Sequence, residues 1–236
     1  MFRDLLDVVL IDSKEMLDRA FRLRFQVYCL ERGFENLAEC PDGRERDADD
    51  HRSLHSLLLD RASGLAVGTV RLILPQRNRD LPVFKVLGAD ALADVGLPLG
   101  ATAEVSRFAV AKAFRRQLEQ GWRPRQGGVP IVGGGRGPAL QLLTFGLIHA
   151  VVMMSAFGGI THIVAMMEPA LLRLLGRLGI AFHPLGLPVE HHGIRQPGWA
   201  VMTHLIASIK RRQPELGEII TGAERAAPPE PALAYA

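Results

Sequence analysis

The stretch from Gly137 to Met167 reads GPALQLLTFGLIHAVVMMSAFGGITHIVAMM and carries no charged residue. By length and hydropathy alone it qualifies as a membrane span. Its punctuation argues otherwise. Pro138 suits the first turn of a helix, and Gly158-Gly159 forms a break. The stretch therefore divides into a helix over Ala139–Phe157 and a strand over Ile160–Met167. Gln141, Thr144, His149, Ser155 and His162 would each set a polar group in hydrocarbon, which a core helix and a central strand tolerate better than a span does. The chain is read as having no transmembrane segment, with this helix and strand at its centre.

Elements on either side fit that centre. Asp12 followed by Glu15 forms a capping box, and Leu17, Phe21, Phe25, Tyr28 and Cys29 recur at helical spacing, predicting a helix over 13–31 that ends before Gly33. Residues 35–52 hold Pro41, Gly43 and a charged run without periodicity, hence a loop. His55–Leu59 and Leu65–Leu74 flank Asp60–Gly64 as an antiparallel hairpin. Phe84–Val95 reads as irregular or helical, and Ala103–Val110 as a strand. Residues 111–137 read as a basic, Gly-rich connection with Lys112, Arg115, Arg116, Arg123, Arg125 and Arg136. Glu168-Pro169 opens a helix over Ala170–Leu178 closed by Gly179, and strands follow around Ile180–His183 and Trp199–Ile206. The resulting class is α+β, with a central mixed β-sheet flanked by helices. A single domain is expected over 1–221, with a disordered Pro/Ala-rich tail over 222–236.

Composition narrows the function. In 236 residues, 48% hydrophobic and 22% charged content excludes a collagenous or wholly disordered chain. The net charge is +3, with no concentrated basic stripe, so no nucleic-acid partner is expected. Cys29 and Cys40 allow one disulfide at most, and the N-terminus lacks a signal-peptide pattern, which together point to the cytoplasm. His183, His191, His192 and His204 have no cysteine or carboxylate at metal-ligand spacing, so no metal site is expected. The Gly-rich run does not match a nucleotide-binding fingerprint, and no serine or cysteine has the setting of an activated nucleophile such as a Gly-x-Ser-x-Gly elbow.

The chemistry concentrates in Glu104-Val105-Ser106-Arg107-Phe108, where polar side chains interrupt a strand and need partners. Alternation puts Glu104 and Ser106 on one face and Arg107 on the other, unless a β-bulge intervenes. The plain structural alternative is a sheet-edge ion network joining Glu104 and Arg107 to Arg24, Arg71 or Asp50. Gly133-Gly134-Gly135-Arg136-Gly137 before a Pro-started helix is either a phosphate-binding loop or a linker. Met153, Met154, Met166 and Met167 suit either a flexible apolar lining or ordinary core.

Five motifs in order carry a family resemblance: Arg24-x-x-x-Tyr28, Gly33-Phe34, Asp47-x-x-Asp50, Arg71 within Gly68-Thr69-Val70-Arg71-Leu72, and Glu104-x-Ser106-Arg107-Phe108. Over about residues 15–205 the chain resembles the acyl-homoserine lactone synthases. It also resembles the related N-acyl amino acid synthases and the acyltransferases of the exosortase protein-sorting system, all of the GNAT (acyl-CoA N-acyltransferase-like) fold. Phe34 stands where the lactone synthases carry tryptophan, and Lys112–Arg136 is longer than their connection. The resemblance implies transfer of a fatty acyl group from an acyl carrier protein thioester to a small amine, giving an N-acyl amino acid. The alternatives are a lactone synthase and a non-catalytic carrier- or lipid-binding module.

By that resemblance Glu104, Ser106 and Phe108 are catalytic. Glu104 would act as base or ammonium holder, Ser106 as donor to thiolate or oxyanion, and the backbone near Phe108 as oxyanion site. Arg24, Tyr28, Phe34, Asp47, Asp50, Arg71, Arg107, His191 and His192 would bind or frame the acceptor, with Arg71 and Arg107 paired to Asp47 and Asp50. Arg115, Arg116, Gly135 and Arg136 would meet the carrier and its phosphopantetheine. No tightly bound cofactor is expected; the acyl-acyl carrier protein is a co-substrate.

Overall fold

The structure, a computed structural model, describes residues 2–88, 95–121 and 138–222. The chain begins with α1 (Phe2–Leu5), β1 (Leu6–Leu10) and α2 (Lys14–Arg24), which runs on as a π-helix over Phe25–Glu31. A loop with two short 3-10 turns leads to β2 (Ser53–Asp60) and β3 (Ala66–Ile73). Then come α3 (Pro82–Leu87), β4 (Thr102–Val110), α4 (Lys112–Gly121) and α5 (Pro138–Phe157). The chain continues through β5 (His162–Met167), α6 (Pro169–Arg177), β6 (His183–Pro184), β7 (Val189–Glu190) and β8 (Ile194–Val201), and closes with α7 (Met202–Arg212) and α8 (Pro214–Gly222). The strands form a mixed eight-stranded sheet in the order β1-β2-β3-β4-β5-β8-β6, with β7 on β8.

Packing divides the chain into two units, one of residues up to 71 with 107–151, the other of 72–106 with 152–228. In the first, β1 and β2 pair antiparallel from Leu6↔Asp60 to Leu10↔Ser56. The hairpin to β3 closes with Asp60 N–H on Leu65 O (2.9 Å) and Gly64 N–H on Asp60 O (2.7 Å), and Gly64 supplies the φ of +68° that the turn requires. Gly68 is dictated by close approach: a Cβ there would lie 3.2 Å from Ala109 O and 3.3 Å from Leu58 and Leu147. Ser13, rather than Asp12, caps α2 by accepting the Met16 N–H. Leu23, Val27, Ala109 and Ala111 bury together, with Tyr28 and Phe114 against them.

In the second unit β4 and β5 run parallel, Thr102↔His162 through Glu104↔Val164. The antiparallel β5–β8 ladder continues further, to Met167↔Gln196. Ile73, Leu81, Val83, Phe84, Val164 and Leu185 form the core there, with Met166 and Trp199 packed on it. Met154 and Met167 are also buried.

Of the window Leu140–Phe157, long and apolar enough to cross a membrane, 78% is buried inside the protein, as befits a core helix. Its Gln141, Thr144, His149 and Ser155 are all buried. Two expectations need correction. Lys112–Gly121 is a helix, not part of an irregular connection, so Arg115 and Arg116 sit one turn inside α4. The strand expected to reach Ile206 stops at Val201, and Met202–Arg212 is helical, with its buried Met202, Leu205 and Ile209 at helical spacing.

Candidate active site

Three arginines and three carboxylates interlock in the first unit. Arg24, fully buried, donates from Nε to Glu45 Oε2 (2.6 Å) and from Nη1 and Nη2 to Asp50 (2.6 and 3.2 Å). Arg71, on β3, donates from Nη1 to Asp47 Oδ1 (2.6 Å) and Asp50 Oδ1 (2.7 Å). Arg107 forks onto Glu45, Nε to Oε2 at 3.0 Å and Nη2 to Oε1 at 2.8 Å, and reaches Asp47 Oδ2 at 3.1 Å. Its guanidinium also lies 5.5 Å over the Tyr28 ring. Such fork pairings are the strong form of ion pair. Asp50 further accepts the Asp47 N–H (2.7 Å), which folds the acidic loop onto its partners.

The electrostatics follow from this closure. Burial alone would raise the Glu45 carboxyl, but the hydrogen bonds from Arg24 and Arg107 outweigh it and hold Glu45 below the usual carboxylate range. Asp50 and Asp47 are lowered against the same burial by Arg24 and Arg71 respectively. His55, buried beside Asp50, is pushed down to about 4 by burial, with Arg24 and Arg71 adding to the effect. Its Nε2 faces Asp50 O at 3.3 Å and its Nδ1 has no hydrogen-bond partner, so a second proton would sit unsolvated. Burial raises the Tyr28 phenol.

Arg24, Tyr28, Asp47, Asp50, Arg71 and Arg107 are thus brought together. Phe34 joins them through Tyr28, with ring centroids 6.4 Å apart. The expected pairing is corrected in one respect: the two-point partner of Arg107 is Glu45, which sequence reading passed over. Glu45 stands in a run of alternating charges where only its burial marks it out from Arg46 beside it. Asp47 and Asp50 are ion-paired, not a solvated face.

Glu104 belongs to the second unit. It is buried, and its Oε2 accepts the Val83 N–H at 2.8 Å, at the first turn of α3. The sheet register aligns Glu104, Val164, Trp199 and His183 in one row across β4, β5, β8 and β6. Residues so aligned share a face, which puts the carboxylate on the side of the Trp199 indole. Two residues on is Ser106, half-buried, and directly after it the backbone of Arg107 turns left-handed at φ +50°. A non-glycine residue in that conformation breaks the strand's alternation as a bulge does.

His191 and His192 lie exposed at the tip of the β7–β8 hairpin, where Glu190 Oε1 accepts the Gly193 N–H at 2.9 Å. Arg115 and Arg116 are on α4, and Gly135, Arg136 and the tail from 223 lie outside the described residues. No group of three or more potential metal ligands occurs among the described residues.

Residues 23–120, which hold the whole charge network and Glu104, match the acetyltransferase (GNAT) domain. That stretch reads as a GNAT acetyltransferase domain. Solved structures of similar fold cover most of the chain's length. TofI, in a ternary complex with an inhibitor and MTA, is 19% identical with a TM-score of 0.62, over 90% of this chain and 99% of that one. BjaI, a CoA-dependent acyl-homoserine lactone synthase solved with SAM and isopentyl-CoA, is 21% identical with a TM-score of 0.60, over 90% and 89%. FeeM, an N-acyl amino acid synthase from uncultured soil microbes, is 14% identical with a TM-score of 0.59, over 88% and 97%. No curated protein matches by sequence. Together the GNAT domain and these neighbours indicate an acyltransferase.

Proposed function

We propose that the chain is an N-acyltransferase that moves a fatty acyl group from an acyl carrier protein thioester to the amine of an amino acid or similar small acceptor. The observation that carries this reading is the break in β4. The parallel ladder to β5 runs to Glu104, and a left-handed residue follows Ser106. Such a break turns backbone N–H groups out of the ladder, and backbone donors of that kind stabilise an oxyanion. In the reaction the neutral amine attacks the thioester carbonyl, the C–N bond forms, the oxyanion collapses and the C–S bond breaks. The proton lost by nitrogen ends on the departing thiolate. Glu104 holds the ammonium and takes its proton, directly or through a water, and Ser106 donates to the oxyanion or thiolate. The Arg24–Arg71–Arg107 network shapes the acceptor side, and its closed pairing suits a framework role.

Residues 1–221 act in this reading as one GNAT-like domain without a tightly bound cofactor, in the cytoplasm, and a role beside an exosortase system belongs to it. Arg115 and Arg116 on α4, with Gly135 and Arg136, meet the acidic carrier and its phosphopantetheine. The lactone synthase reading has support from BjaI, whose CoA dependence makes CoA the rival donor. Mass spectrometry of organic extracts from bacteria expressing the chain or its Glu104→Gln variant tests both. A new N-acyl amino acid with the unmodified chain alone is expected. An N-acyl homoserine lactone would replace the proposal with the second reading, and no new lipid from folded protein, supplied with acyl-carrier and acyl-CoA donors, would overturn both.

A further inference from the structure

The loop after the π-helix folds back along the helix it leaves. Phe34 and Glu35 donate their N–H groups to Tyr28 O (2.8 and 3.3 Å), and Glu45 donates its own to Phe21 O (3.1 Å). Between these anchors a Cβ on Gly43 would lie 4.0 Å from Phe25. The chain thus runs antiparallel to the helix and brings Cys40 alongside Cys29. Both cysteines are free and buried, 5% and 8% exposed. The two thiols are near enough to influence each other's protonation. Held between the two are Phe34, against Tyr28, and Glu35, whose Oε1 is 3.6 Å from Arg107 Nη2.

We propose that Cys29 and Cys40 are a dithiol–disulfide pair whose oxidation locks the loop of residues 30–39 onto the π-helix. The oxidant is a small-molecule disulfide. The Cys40 sulfur attacks one sulfur of that disulfide, forming a mixed disulfide and releasing one thiol. The Cys29 sulfur then displaces the second thiol from Cys40. Two protein thiols are oxidised, one disulfide is reduced, and each released thiol leaves with one proton. Burial, then the Cys40 thiol, push the Cys29 thiol up to about 12, which guards the resting pair.

The test uses the full chain, equilibrated with reduced and oxidised glutathione at graded ratios, quenched in acid and measured by intact mass. The expected product has lost two hydrogens, carries no glutathione and remains monomeric. Trypsin cuts after Arg32, which is exposed and lies between the cysteines, so the peptides bearing Cys29 and Cys40 stay joined until reductant is added. Amide exchange in residues 30–39 slows by about tenfold or more in the oxidised chain. The Cys29→Ser and Cys40→Ser variants show neither the joined peptides nor the slowed exchange. Thiols that stay fully alkylatable at every ratio, or that yield only glutathione adducts or intermolecular dimers, would overturn the proposal.

Discussion

Glu45 and Glu104 are both buried acids, and their neighbours give them opposite sensitivities. Glu45 stands between two guanidiniums, so Glu45→Ala leaves buried Arg24 with Asp50 alone and strips the fork from Arg107. A loss of about 3–5 kcal/mol in chemical denaturation is expected, the usual cost of breaking a buried pair from one side. Glu104 accepts from a backbone N–H, a task an amide oxygen also performs. Glu104→Gln is therefore expected to keep stability within about 1 kcal/mol while abolishing product. Glu104→Leu leaves the Val83 N–H without that acceptor and costs about 1–3 kcal/mol. A large stability loss in the glutamine variant, with activity per folded molecule retained, would return Glu104 to a purely structural role. Glu104 was legible in the sequence because a carboxylate inside an apolar strand is locally anomalous. Glu45 was not, since what distinguishes it is contact with residues 21 and 62 positions away.

Elements were legible where periodicity and punctuation agreed, as in the β2–β3 hairpin and in α5 with its glycine stop. Leu6–Leu10 was passed over as a strand because an edge strand of five residues has too little alternation to stand out. The apolar run from Val201 misled because nothing local separates strand from helix there, and α7 starts without a side-chain cap. The π-helix has no propensity signature in the sequence, and the loop that follows hydrogen-bonds back to it at Tyr28 O. Two helical glycines give the packing a direct test. A Cβ at Gly176 in α6 meets nothing within 4 Å, beside a cavity of about 270 Å³, so Gly176→Ala is expected to stabilise by about 0.5–1 kcal/mol. At Gly146 in α5 the same atom would sit 2.8 Å from Leu58 Cδ1 and 3.2 Å from the Phe2 ring. Gly146→Ala is expected to lower the melting temperature despite its better helix propensity.

Across the whole chain the buried charges fix how stability responds to acid. The unfolded chain takes up the His55 proton near its ordinary value of 6.5, while the folded chain resists until about 4. Stability is therefore lost as pH falls through that window, on the order of 2–3 kcal/mol from this group. His55→Gln is expected to flatten that part of the profile. Below pH 4 the depressed carboxylates take over: the stability from Glu45, Asp47 and Asp50 is complete above their unfolded values and disappears as pH drops through the folded ones. Equilibrium denaturation from pH 3 to 7 checks both limbs; a flat profile would contradict the network. The order in which its members occur along the chain matters during synthesis as well. By the time Arg71 has left the ribosome, Glu45, Asp47 and Asp50 face only Arg24 and Arg71, and the balancing cation arrives 36 residues later with Arg107. A nascent chain halted before β4 therefore has these three carboxylates against two of their three guanidiniums, and Glu45 waits for a fork on a strand not yet made.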